Sequence, residues 1–190
     1  MRLPLRSSRT WSAKTVELLA LAALLAGAAA RAGEWATFAP RDGRFSVEMP
    51  GAPAVERDSH WTPVGSVTMT KYWRRVGDAL LAVELHDLPP VAAALVSDDR
   101  VLDQAREGVI RDTGGTLLEG RALEVQGSPA RDFTYQLPGS ARLSEHALAV
   151  LVDGRLYILT GLARAPASDP AVARFFGSFR CWREGAERKR

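Results

Sequence analysis

A serine, three histidines and a few carboxylates are the residues of this chain that could support catalysis. Ser144 and His146 are two positions apart, and in a β-strand that spacing places both side chains on one face. With an acid such as Glu84 or Asp132 they could form a nucleophile, base and carboxylate set. The simpler expectation for Glu84 is a solvated residue at the edge of a sheet. The G-x-S-x-G sequence that presents many catalytic serines is absent from the chain. We therefore expect no catalytic residue, and an enzyme, most simply a hydrolase with an unrecognised site, remains the alternative.

The three histidines could in principle bind a metal ion. His60, His86 and His146 fall in three separate predicted strands, and no two of them are two or four positions apart. Protein metal sites usually combine ligands at such short spacings. The alternation of its strand also predicts that His86 points to the face opposite the one occupied by the apolar residues of that segment. We expect no metal site and no cofactor, and a metal-binding accessory protein is a further alternative.

Two other segments could bind anions. Gly114 and Gly115 follow a predicted helix instead of opening one, so they are expected to end the helix and not to hold a phosphate. Residues 71–75 combine three basic and two aromatic side chains, a composition that can bind an anionic polymer. We favour the simpler interpretation of a strand with Trp73 inward and arginines at its exposed end.

The N-terminus has the composition of an export signal. Four basic residues occur in the first 14 positions, residues 18–30 are apolar, and Ala30-Arg31-Ala32 offers the small-x-small pattern of a cleavage site. The apolar run has 13 residues, and spanning a bilayer takes about 20. We predict a signal peptide at residues 1–32 and a periplasmic or secreted protein with no stable membrane span after cleavage. An uncleaved anchor is the alternative.

Removing that segment changes the charge of the protein. Residues 1–32 contain five of the 25 Lys and Arg and one of the 22 Asp and Glu, so residues 33–190 carry 20 basic and 21 acidic groups. A net charge of −1 does not suit a nucleic-acid partner, which calls for a basic face. The single cysteine, Cys181, excludes an intramolecular disulfide.

The remaining sequence predicts short strands and two helices. Alternating apolar residues predict strands at residues 45–49 and 133–137, and Asp153-Gly154 predicts a tight hairpin between two longer strands. Residues 147–152 are apolar throughout, so we expect a central strand with Val150 buried. A helix is predicted from Ser97 or Asp98 to Gly114 and a second at residues 170–176. The expected fold class is α+β, a mostly antiparallel sheet covered by helices. We predict one domain at residues 33–183 and a polar basic tail at 184–190.

Three stretches resemble a known family. Residues 35–53, 153–157 and 175–179 are similar to the opening, the closing hairpin and the last helix of PsbP-like bacterial exported proteins, a group that includes the DcrB-type periplasmic proteins. The resemblance implies a PsbP-like α/β/α sandwich. It implies no activity and no site residue. We therefore expect a non-catalytic exported module that binds, or is accessory to, another component of the cell envelope. Its expected partner is an envelope or extracellular protein, and not a nucleic acid.

Overall fold

The computed structural model describes residues 33–62, 65–89, 96–139 and 143–185, with the side chains of all of these except 60–62 and 65. The predicted signal peptide and most of the predicted tail lie outside the described residues. The chain divides after residue 31, and every described residue belongs to the second unit. Its elements are β1 (Trp35–Phe38), β2 (Phe45–Pro50), β3 (Ala54–Thr62), β4 (Gly65–Val76), β5 (Ala79–Asp87), α1 (Asp98–Thr113), β6 (Thr116–Val125), β7 (Ser128–Gln136), β8 (Ser144–Val152), β9 (Arg155–Ala163), a 3-10 turn (Pro166–Ser168), α2 (Pro170–Ser178) and β10 (Arg180–Cys181).

The strands of the described residues form two antiparallel sheets. The larger has seven strands in the order β3-β4-β5-β9-β8-β7-β6, and the smaller has three in the order β1-β2-β10. The central pair, β8 and β9, is joined at Asp153 and Gly154, whose φ angles are 47° and 73°. Positive φ at both positions matches the twist of a two-residue hairpin. The prediction of a mostly antiparallel α+β protein is confirmed.

Alternate residues of the central strands enter two different clusters of buried side chains. Leu148, Val150 and Tyr157 pack with Val172 and Phe175 of α2. The residues between them pack in a second cluster with Leu102 of α1. Val150 is fully buried, as its position in the apolar run predicted.

Both helices begin and end close to the predicted residues. Gly114 has a left-handed φ of 65° and closes α1, a conformation that glycine adopts without a Cβ clash. Asp169 caps α2 by accepting from the backbone N–H groups of Ala171 and Val172. Ser97, by contrast, makes no side-chain cap bond, although it occupies the N-cap position of α1.

Several details of the sequence analysis are wrong. Tyr72, and not Trp73, is the buried aromatic of β4, and the indole of Trp73 donates to Glu56 at 2.8 Å. β6 is one continuous strand with a bulge between Leu117 and Glu119. Strands β1 and β10 were not predicted, because segments of four and two residues are too short to show an alternating pattern.

Candidate functional site

A cleft opens where the β6 end of the larger sheet faces α2 and the 3-10 turn before it. It encloses about 420 Å³. Its sheet side is polar and its helical side is apolar. The lining residues are Glu119, Gly120, Arg121, Asp132, Phe133, Thr134 and His146 from the strands, and Pro166, Ala167, Val172, Ala173 and Phe176 from the turn and α2.

Three of the polar side chains are joined to one another across neighbouring strands. Arg121 lies opposite Asp132 in the β6–β7 register and donates from Nε and Nη2 to Asp132 Oδ2, at 3.0 and 2.8 Å. His146, on the next strand, contacts Asp132 Oδ1 through Nε2. The carboxylate is therefore bound on both oxygens by side chains of the two strands that flank it.

These contacts fix the charge of Asp132. The hydrogen bond with His146 and the guanidinium of Arg121 lower the pKa of the Asp132 carboxyl, against the effect of its partial burial. A carboxyl whose pKa is lowered stays ionised at neutral pH. Asp132 is thus suited to orient His146 and Arg121 and is not suited to donate a proton.

The His146 ring is held from above by α2. It stacks on the ring of Phe176, with centroids 4.3 Å apart and planes 11° from parallel. The residue opposite His146 on β9 is Gly161. A Cβ there would lie 2.8 Å from Val172 Cγ1 and 3.0 Å from Phe176 Cε2. Glycine at this position therefore lets α2 approach the sheet closely enough for the stack.

The serine of the hypothetical catalytic set is not part of this arrangement. Ser144 lies on β8 at the spacing that placed it on the face of His146, but it is absent from the residues that line the cleft. In the described part of the chain no hydrogen bond joins its hydroxyl to the His146 ring, and Asp132 occupies Nε2. Of the residues considered from sequence, His146 and Asp132 are brought together and Ser144 is left aside.

Arg121 and Phe176 are the site residues that the sequence analysis missed. A signal for Arg121 was present, since the two-residue turn at Gln126 and Gly127, both with positive φ, sets the register that places Arg121 opposite Asp132. Phe176 had no such signal, because its contact with His146 depends on how α2 packs on the sheet.

The three histidines occupy different surroundings. His146 packs under α2, whereas His86 lies opposite Leu156, a member of the cluster that packs with α1. These two rings project from opposite faces of the sheet. The side chain of His60 lies outside the described residues, and within them no group of three His, Cys, Asp or Glu could hold a metal ion.

Glu84 was expected to be a solvated edge residue, and this is wrong. It lies on β5, between β4 and β9, where Lys71 Nζ is 2.9 Å from one carboxylate oxygen and His86 Nε2 is 3.4 Å from the other. Burial would raise the pKa of the Glu84 carboxyl, but His86 and Lys71 lower it to about 2. His86 Nε2 is buried and makes no well-aligned hydrogen bond within the described residues.

The fold of this chain is similar to that of a solved protein structure. The solution structure of cyanobacterial PsbP from Synechocystis sp. PCC 6803 matches with a TM-score of 0.54 and 14% identity, over 82% of this chain and 96% of that one. The protein has a PsbP-like fold. This confirms the resemblance noted from sequence, and at such identity it concerns the fold alone.

A second solved structure gives a weaker match. A Pseudomonas aeruginosa protein of unknown function, described as a putative regulator, gives 14% identity over 73% of this chain and 91% of that one. Its TM-score of 0.36 is too low to support an argument. No protein-family model and no curated protein matches the chain. Across the described residues, no helix is both long and apolar enough to cross a bilayer.

Proposed function

We propose that this protein is an exported, non-catalytic module that binds another component of the cell envelope, and that the cleft between β6, β7, β8 and α2 is its binding site. A wall of apolar side chains facing a floor of fixed polar groups is the usual make-up of a ligand pocket. The residues of that floor belong to three strands of one sheet, which would hold them rigidly.

One observation carries this proposal. Asp132 is bonded to both His146 and Arg121, and no serine, threonine or cysteine is hydrogen-bonded to the His146 ring among the described residues. Covalent catalysis requires such a nucleophile–base contact. Binding requires only donors and acceptors in fixed positions, and the paired guanidinium and imidazole supply these.

Export is part of the same proposal. We infer that residues 1–32 are removed as a signal peptide, that the mature chain begins at Gly33, and that it resides in the periplasm or is secreted. The order of basic, apolar and Ala30-Arg31-Ala32 segments supports this. We also infer that α1 and α2 cover opposite faces of the larger sheet as an α/β/α sandwich, supported by the two separate clusters in which they pack.

The binding proposal is tested by blocking the cleft. Ala173 is an exposed residue of α2 on the cleft wall, so Ala173→Trp fills the cleft without altering the sheet. The mature protein, this variant and Ala36→Trp, which adds the same side chain at an exposed position of β1, are used to capture partners from the native envelope for mass spectrometry. A component retained by the wild type and Ala36→Trp but lost with Ala173→Trp supports the proposal. Equal retention by all three proteins contradicts it.

A hydrolase is the second candidate, favoured by the contact between His146 and Asp132. In that case a ligand would have to bring Ser144 and His146 together. Labelling by a fluorophosphonate probe that is lost in Ser144→Ala, and equally in His146→Ala, would establish the hydrolase. We expect no labelling of Ser144.

A further inference from the structure

One edge of the larger sheet is open and long. β6 ends the strand order and pairs only with β7 among the described strands. All ten of its residues are exposed or half-buried, and Leu117 and Leu118 are 44% and 56% exposed. The strand contains no proline and no lysine, the residues that natural edges use most often to prevent pairing. No other strand of the described structure pairs with its outward N–H and C=O groups, so a strand of another chain could pair with them.

The sequence of this edge is complementary to itself. If β6 meets β6 of a second copy antiparallel, with a two-fold axis at Gly120, then Glu119 lies opposite Arg121 of the second copy, and Arg121 lies opposite its Glu119. Opposite charges facing each other across an antiparallel pair are stabilising, and like charges are destabilising. The same register places exposed Leu118 opposite Ala122. We propose that this protein self-associates through β6, forming one continuous sheet across two copies.

Local geometry supports this register. Glu119 and Arg121 both line the cleft, so they project from one face, and an axis perpendicular to the sheet would bring that same face of each copy side by side. Gly120, on the axis, has no side chain that could crowd the Gly120 of the second copy on the opposite face of the sheet. The bulge between Leu117 and Glu119 changes the strand phase there, so we assign the contact to the segment from Leu118 to Ala122.

The charges around Arg121 fit a second carboxylate. Its side chain is 75% exposed, although Nε and Nη2 already bind Asp132. A guanidinium has five N–H donors, so donors remain for Glu119 of the second copy. Glu119 has no ion pair of its own in the described structure. The two clefts would then adjoin across the axis, and this pairing goes beyond the proposed binding function because it needs no ligand.

The proposed β6–β6 pairing is tested by reversing the charge of Glu119 or of Arg121 and by mixing the two variants. Sedimentation velocity over a concentration series is carried out on the purified mature protein, on Glu119→Arg and on Arg121→Glu. Each variant alone would face like charges twice across the axis, and we expect its self-association to weaken by roughly tenfold or more. An equimolar mixture of the two variants restores both opposite-charge pairs, so we expect it to associate as the wild type does.

Two further proteins complete the design. Arg57→Glu reverses a charge on β3, the opposite edge of the sheet, and is expected to leave association unchanged. Leu118→Lys keeps both charged residues and places a lysine on the open edge, so it should weaken association even if Arg121→Glu fails to fold. A wild type that stays monomeric at every concentration overturns the proposal, as does equal association of wild type, Glu119→Arg and Leu118→Lys. Folded variants whose mixture stays monomeric overturn it too.

Discussion

At the scale of single residues, Glu84 is a charge held inside the sheet by its neighbours. Its side chain is 21% exposed, and its partners Lys71 and His86 are 32% and 18% exposed. The carboxyl pKa of about 2, against an ordinary 4.5, means that folding favours the ionised form. By linkage the resulting stability is complete above about pH 4.5 and is lost as the pH falls through about 2. The shift corresponds to roughly 3 kcal/mol.

This predicts the acid response of a variant. The free energy of unfolding of the wild type should fall between about pH 4.5 and 2, and Glu84→Gln should flatten that part of the curve, because its amide does not titrate. Denaturant titrations at several pH values measure this. Glu124→Gln, at an exposed residue of β6, should follow the wild-type curve. A Glu84→Gln curve parallel to the wild type would show that Glu84 is not ionised preferentially in the folded protein.

At the scale of elements, α1 is tied to the sheet by one buried cation. Arg131 of β7 has a side chain only 9% exposed. Its Nη2 donates to Asp99 at 2.7 Å and its Nε to Asp103 at 2.9 Å, both in the first turns of α1. The hydrogen bond that Asp103 accepts from Arg131 lowers the pKa of the Asp103 carboxyl. Because both aspartates are solvent-accessible, these ion pairs contribute less to the free energy of unfolding than fully buried ion pairs would.

We expect Arg131→Met to lower the free energy of unfolding by roughly 1–2 kcal/mol. The methionine keeps much of the apolar packing, so the loss should concentrate in α1. Hydrogen exchange measures it, with faster exchange of the α1 amides and little change in β4 and β5. Arg100→Met, at an exposed residue of the same helix, is the control and should exchange like the wild type. Uniform acceleration over all strands would contradict a local role for Arg131.

Some elements of the fold were predictable from the sequence, and some of the contacts between them were not. The β8–β9 hairpin and α1 were predictable because Asp153-Gly154 and Gly114 are strong local signals. Glu84 was misplaced because its strand phase resembles that of a solvated face, and only the register with Lys71 on β4 reveals its partner. Two residues of the cleft were identified from the sequence, but the contacts that build it were not. His146 and Asp132 were named as possible partners, but their contact depends on pairing β7 with β8, and the Phe176 stack depends on tertiary packing of α2.

At the scale of the whole molecule, the two sheets are held together by side-chain packing and not by a disulfide. Phe45 of β2 lies among the rings of Phe38, Tyr72, Tyr157 and Phe179, with centroids between 5.7 and 6.2 Å from its own. The hydroxyl of Tyr157 donates to the Gly43 carbonyl at 2.9 Å. Aromatic pairs in such geometries contribute beyond their buried area. The smaller sheet is thereby fixed to the core of the larger one.

Cys181 lies in the same contact region and is a free thiol. It pairs with Phe45 as part of β10, is half-buried, and burial raises the pKa of its thiol to about 11. A thiol with a raised pKa is protonated at neutral pH and is a poor nucleophile, because disulfide exchange proceeds through the thiolate. Although the protein is proposed to function outside the cytosol, its stability should therefore be independent of redox conditions.

The expected result is a melting temperature that is the same with and without reductant, measured calorimetrically on the mature protein at low concentration. Cys181→Ser should behave identically in both conditions, which separates a thiol effect from an effect of the reductant itself. Because association through β6 would rest on backbone and charge pairs, sedimentation should also be unchanged by reductant. A wild-type melting temperature that drops with reductant while that of Cys181→Ser stays constant would mean that Cys181 links two copies covalently, and that packing alone does not hold the molecule together.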